Sequence, residues 1–129
     1  MAKVTQDTPV KNIIINQGED YRFQMKLFSG TDTNKVPMDI TGYVFTCKVR
    51  EEAGSDAVAL TADCTILDST TGTLEIHFKA DDSDNLSLTG TYYGDLAQFV
   101  YDVFMKDTAD TEKRILCGYA YISPSVSNR

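Results

Sequence analysis

The chain has no tryptophan, one histidine, three prolines and three cysteines in 129 residues. Each scarcity excludes something. The lone His77 alternates with apolar neighbours, so it reads as a solvent-facing side chain. No serine or cysteine nucleophile with a spaced acid accompanies it, which removes hydrolytic triads and dyads. Cys47, Cys64 and Cys117 are odd in number and far apart, which suits neither a disulfide framework nor a zinc site. Each lies in an apolar stretch and reads as a buried, reduced thiol. Basic clusters are missing too. Twelve Lys and Arg against 19 Asp and Glu give a net charge of −7, with no patch to neutralise phosphate, so nucleic acid is not an expected partner. No apolar run approaches the ~20 residues that span a bilayer, so no membrane partner is expected either. The opening Met-Ala-Lys-Val-Thr-Gln-Asp lacks the apolar region of a signal peptide. The expectation is a soluble protein made in a cytoplasm, with no enzyme activity, no cofactor and no metal.

What the chain does have is alternation. Tyr21, Phe23, Met25 and Leu27 alternate with Arg22, Gln24 and Lys26, the period-2 pattern of a strand with one wet face. The same pattern recurs with Tyr43, Phe45, Cys47 and Val49, then with Leu74, Ile76 and Phe78, then with Phe99, Tyr101, Val103 and Met105. Residues 11–16, with Ile13, Ile14 and Ile15, make a first strand after a polar arm. Pro37 leaves residues 36–39 extended but poorly paired. Residues 58–67 read as a less regular strand or two short ones. Residues 68–72 are a Gly-containing turn into the Leu74 strand. A short helical turn beginning at Asp81 or Asp82 is the single helix expected. In the closing hairpin Leu116, Gly118, Ala120 and Ile122 face the same core as Phe99 and its partners, and Pro124 ends the strand. Phe23, Phe45, Phe78 and Tyr101 are expected to be largely buried. The pattern predicts one all-β domain, an antiparallel β-sandwich of seven to nine strands. Residues 1–10 form an arm, 11–124 the sandwich and 125–129 a tail.

The order of turn and core motifs is also familiar. Residues 17–23 (Gln-Gly-Glu-Asp-Tyr-Arg-Phe) open a strand, and residues 37–43 (Pro-Met-Asp-Ile-Thr-Gly-Tyr) precede the next. Asp68 through Gly72 leads to Thr73-Leu74-Glu75-Ile76, and Tyr101-Asp102-Val103 is followed by Leu116-Cys117-Gly118 and residues 122–126. Over residues 12–126 the chain resembles the immunoglobulin-like β-sandwich domains of tailed-phage virion proteins. The nearest of these are the N-terminal domains of siphophage upper-baseplate proteins, with related modules in neck, tail-fibre and capsid-decoration proteins. The resemblance implies a virion structural protein that docks other virion subunits in many symmetric copies. In those baseplate proteins a further receptor- or scaffold-binding part follows. Here the sequence stops at Arg129, which favours an adaptor of tail, baseplate or neck, or a capsid decoration subunit.

Candidate contact residues fall in three places. Val4 and Val10 lie in the arm. Leu86, Leu88, Tyr92 and Tyr93 lie in a connection, residues 85–98, that is longer than its counterpart in the family. Tyr92 and Tyr93 serve either as a contact surface or as a core-capping tyrosine corner. Tyr119 and Tyr121 form an exposed pair on the last strand if its phase is as read, and are otherwise buried between sheets. Arm and tail are polar enough to need a partner to order them. The four tyrosines also suit stacking on sugar, so a carbohydrate-binding module bound to a cell-surface glycan is the rival reading, weakened by the missing tryptophan. Asp81, Asp82 and Asp84 read as a solvated acidic helix start rather than a cation loop.

Overall fold

A computed structural model describes residues 8–30 and 34–127 of the chain. Its strands are β1 (Ile13–Asn16), β2 (Tyr21–Lys26), β3 (Phe28–Ser29), β4 (Val36–Pro37), β5 (Val44–Arg50), β6 (Leu60–Asp68), β7 (Thr73–Phe78), β8 (Ala97–Lys106) and β9 (Glu112–Ser123), with a one-turn helix α1 (Ala80–Asp84) between β7 and β8. The hydrogen-bonded order is β1-β9-β8-β5-β6-β7-β2, with β3 and β4 as a separate two-residue pair. β1 runs parallel to β9, and every other pairing is antiparallel.

β6 explains how one ladder makes two layers. Its first residues pair with β5 (Val49 with Leu60, Cys47 with Ala62), and from Asp63 onward it pairs with β7 instead. One strand therefore serves both sheets, which is why residues 58–67 look irregular in sequence yet form a single strand of nine residues. β2, β7 and late β6 make one sheet; β5, β8 and β9 make the other, with β1 laid along β9. This is the immunoglobulin-like arrangement, a three-stranded sheet and a sheet built on the chain's third and last two long strands. An all-β, immunoglobulin-like sandwich is the fold.

The alternation positions the core as read. Cys47, Val49, Leu74, Ile76, Phe78, Val103 and Ile122 are buried from both sheets, each contributing on the order of 1.5–3 kcal/mol when a large aliphatic or aromatic group is covered. Two expected core residues fall short. Phe23 and Phe45 are half-buried and pack on the rim of the core. β2 is an edge strand with one neighbour, and β6 does not pair with β5 as far back as Phe45, so neither ring is covered on all sides. Among the cysteines, Cys47 is buried while Cys64 and Cys117 are half-buried, and all three are free. Burial holds the Cys47 thiol well above its ordinary range and, with Asp63 adding, lifts Cys64 to about 11, so neither is a ready thiolate.

Turn chemistry closes the hairpins. Asp68 Oδ1 accepts from the Thr70 amide and hydroxyl, and Asp107 Oδ1 accepts from Ala109 N and Thr111 N, each 2.9 Å. Gly72 combines a left-handed φ of 68° with close packing, because a Cβ there would lie 2.6 Å from Leu27 O and 2.7 Å from Met38 O. That approach lays Leu27 and the stretch from Met38 to Ile40 across the β6–β7 turn, with Leu27 N donating to Gly72 O and Ile40 N to Ser69 O.

The helix begins at Ala80 rather than Asp81 or Asp82, and its cap comes from elsewhere in the chain. Asp20, in the turn between β1 and β2, accepts from Ala80 N at 3.1 Å. Ser83, fully buried, accepts from Gly18 N at 2.8 Å. α1 thus clamps the β1–β2 turn where the two sheets part. Among the described residues no helix is long and apolar enough to cross a membrane.

Candidate interaction surface

The outer face of β9 carries the tyrosine pair. Since Leu116, Ala120 and Ile122 are buried, residues between them turn out, and Tyr119 is 42% exposed. Tyr121 is half-buried beside it, with ring centroids 5.8 Å apart. The phase read from sequence is correct, and burial between sheets is ruled out. β1 extends this surface. Ile13 and Ile15 are buried while Ile14 is 54% exposed and stands opposite Tyr121 in the ladder. Val10, 64% exposed, bridges to Cys117. Val10, Ile14, Tyr119 and Tyr121 therefore share one outward side of two adjacent strands. The run of three isoleucines concealed Ile14, although strict alternation separates it from its neighbours.

The arm near Val10 is held by its own domain, against the expectation that it orders only on a partner. Lys11 N donates to Cys117 O at 2.9 Å and Cys117 N donates to Pro9 O at 3.1 Å. The Tyr101 hydroxyl donates to Lys11 O at 2.6 Å. With that carbonyl engaged, Tyr119 N turns to the Asn12 side chain, donating to Oδ1 at 3.0 Å. Gly118 makes the approach possible, since a Cβ there would lie 2.3 Å from Lys11 O. Burial pushes the Tyr101 phenol well above its ordinary value, so it stays a donor. This tyrosine, rather than Tyr92 or Tyr93, ties a ring in the core to distant backbone. Val4 lies outside the described residues.

The connection between α1 and β8 divides into two parts. Leu86 and Leu88 are half-buried and pack against the core, so each offers only part of its side chain to a partner. Gln17 Nε2 donates to Leu86 O at 2.9 Å, drawing this stretch over the open end of the sandwich. Ala97 and Gln98 already belong to β8, so the connection is two residues shorter than read. Tyr92 and Tyr93 are 55% and 73% exposed, edge to face at 5.6 Å, which removes the corner reading for both. Their backbone is fixed: Asp95 N donates to Tyr92 O, and Ser123 Oγ donates to Tyr93 O at 2.7 Å. Tyr93 also lines a cleft of about 390 Å³ with Asn16, Glu19 and Pro124. The tail is likewise tied down at its start, with Ser125 N donating to Gln17 Oε1 at 3.1 Å.

A second concavity, about 630 Å³, lies on the outer face of β5, β8 and β9, lined by Lys48, Arg50, Asp102, Phe104 and Arg114 among others. Burial raises the Asp102 carboxyl, with Arg114 and Arg50 opposing. Arg50 Nη1 donates to Ser55 O at 3.0 Å and so has a structural duty. His77 is not freely solvated as read. Its Nε2 lies 2.8 Å from Asp20 Oδ1, with only 16% of the side chain exposed. Among the described residues, no group of His, Cys, Asp and Glu converges as a metal site.

No protein-family model matches the chain, and no curated protein sequence matches it. Among solved structures, murine CRIg is 10% identical over 94% of this chain and 97% of that one, with a TM-score of 0.36. A structure from work on multimeric cell-adhesive interactions of VGSC beta subunits is 10% identical over 98% of this chain and all of that one, again at 0.36. Likeness at this level carries no argument about function, so the surfaces must speak for themselves.

Proposed function

We propose that the chain is a non-enzymatic virion structural protein of a tailed phage, an adaptor of tail, baseplate or neck that docks other virion subunits. The observation that carries this reading is the outward strip of Val10, Ile14, Tyr119 and Tyr121, apolar area placed on the rigid flank of a sheet rather than on a loop. Rigid aromatic and aliphatic groups on strands suit shape-complementary docking, because little side-chain freedom is lost on contact. The sequence resemblance supplies the setting, and repeated copies would let modest contacts add. Capsid decoration is the close variant within the same class.

The test is incorporation. Mass spectrometry of gradient-purified particles from the encoding phage should find the chain at a copy number matching the particle's rotational symmetry. Particles that assemble and infect normally without it would overturn the proposal. A carbohydrate-binding module is favoured by one observation, the fixed and exposed Tyr92–Tyr93 pair. Saturable glycan-array binding, lost on Tyr92→Ala or Tyr93→Ala, would move the assignment there.

A further inference from the structure

β1 closes one side of the seven-stranded ladder, and among the described residues it pairs with β9 alone. In a parallel pair a strand turns alternate residues toward its neighbour. Lys11 N and Gln17 N donate to Cys117 O and Ser123 O, both at 2.9 Å, so the odd-numbered residues serve β9. Asn12, Ile14 and Asn16 therefore present their backbone groups to the open side, where among the described residues only Asn16 O is engaged, by Glu19 N at 3.0 Å. An open strand edge is a template for another strand, and proteins usually guard it with charge, proline or a bulge. Residues 12–16 carry none of these. They read Asn-Ile-Ile-Ile-Asn, the same in both directions.

We infer that this edge pairs with the same edge of a second copy, antiparallel, about a two-fold axis through Ile14. The axis sets Asn12 against the partner's Asn16, Ile13 against the partner's Ile15, and Ile14 against its own counterpart. Like then meets like in shape at every position, which is what an isologous contact requires. The parity also agrees. Ile14 becomes a pair that exchanges both backbone hydrogen bonds, and its side chain joins Tyr121 on the outer face in both copies. Charge selects the direction. Lys11 stands at one end of the edge and Glu19 just past the other, both exposed. Antiparallel pairing brings each Lys11 toward the partner's turn holding Glu19, twice per dimer. At a net charge of −7 the rest of the surface repels a second copy, and the uncharged edge is where two copies can meet. Pairing consumes the edge, so assembly stops at two through this contact.

Sedimentation velocity over a concentration series should give monomer and dimer and nothing larger. Ile14→Lys should weaken the dimer roughly tenfold or more, because the two-fold brings the new charges together. At dilutions where both proteins are monomeric the thermal midpoint should stay put, since the side chain is exposed. Lys11→Glu or Glu19→Lys should each weaken it, and the double exchange should restore it. Within one copy these residues sit at opposite ends of β1, so the rescue reads contact between copies. As a check independent of stability, a short bis-maleimide should capture dimers of Ile14→Cys but not of Val44→Cys, an exposed position on β5. A chain that is monomeric up to ~1 mM overturns the inference. So does a dimer indifferent to Ile14→Lys, open-ended polymers, or equal capture of both cysteine variants.

Discussion

β2 ends the smaller sheet with Arg22, Gln24 and Lys26 exposed, while β1 ends the larger one with Asn12, Ile14 and Asn16. Both edges lie on the side of the sandwich that β6 does not wrap. The β2 edge is guarded. Arg22 pairs with Glu75 across to β7 at 3.1 Å, and two cations in six residues discourage a second strand. The β1 edge has no cation among residues 12–16, and its one exposed isoleucine continues an aromatic surface. One fold thus treats equivalent backbone edges in opposite ways. Since the two strands are anchored inward alike, the contrast lies outside the core, and that is where a partner would read it.

The largest expected effects test that equality of anchoring. Phe78, buried and opposite Tyr21 in the ladder, holds β2, and Ile15, fully buried, holds β1. Phe78→Ala should cost about 3–5 kcal/mol and Ile15→Ala about 2–5 kcal/mol, measured as loss of unfolding free energy in urea. If Ile15→Ala cost under ~1 kcal/mol, β1 would be a loosely held strap and the comparison would fail.

Next in size are changes that touch one edge only. Gly118→Ala drives a Cβ into the Lys11 carbonyl. Backbone must move to admit it, so about 1–3 kcal/mol is expected, toward the upper end. Tyr101→Phe removes the donor to Lys11 O while keeping the buried ring, for about 1–2 kcal/mol. Hydrogen exchange should show the Lys11 and Cys117 amides losing protection in both variants with β2 unchanged. Equal loss at β2 would mean that the edges open as one unit.

How much of this was legible in sequence follows from what alternation encodes. It places Cys47, Val49, Phe78, Val103 and Ile122 in the core, because period 2 fixes a face regardless of neighbours. It also turns Tyr119 outward. It does not encode how many strands flank a residue, so Phe23 and Phe45 came out half-covered. Nor does it describe segments between strands. Leu86 and Leu88 look like spare apolar area in a polar loop, and only the docking of the β1–β2 turn on α1 and of Gln17 on Leu86 O gives them a floor. The Tyr101 hydroxyl bond spans 90 residues, and no local pattern announces it. Ile14 was within reach, since parity alone separates it from Ile13 and Ile15.

The smallest expected effect lies at the entry to β2. Asp20 accepts from His77 and from Ala80 N, and these bonds, His77 first, hold its carboxyl below the usual carboxylate range. A carboxyl depressed on folding adds stability that is fully present above its unfolded value and lost as pH falls through its folded value. The unfolded value is ~3.9, so the loss begins near it and finishes below. Asp20→Asn lacks that titration. Wild type should therefore exceed the variant in thermal midpoint at about pH 6, and the gap should shrink toward about pH 2. Since the side chain is exposed, added salt should narrow the gap as well. A gap independent of pH would assign Asp20 a purely geometric part in capping α1. β2 would then owe nothing to charge where the chain enters it, and its guarding would reduce to Arg22 and Lys26 alone.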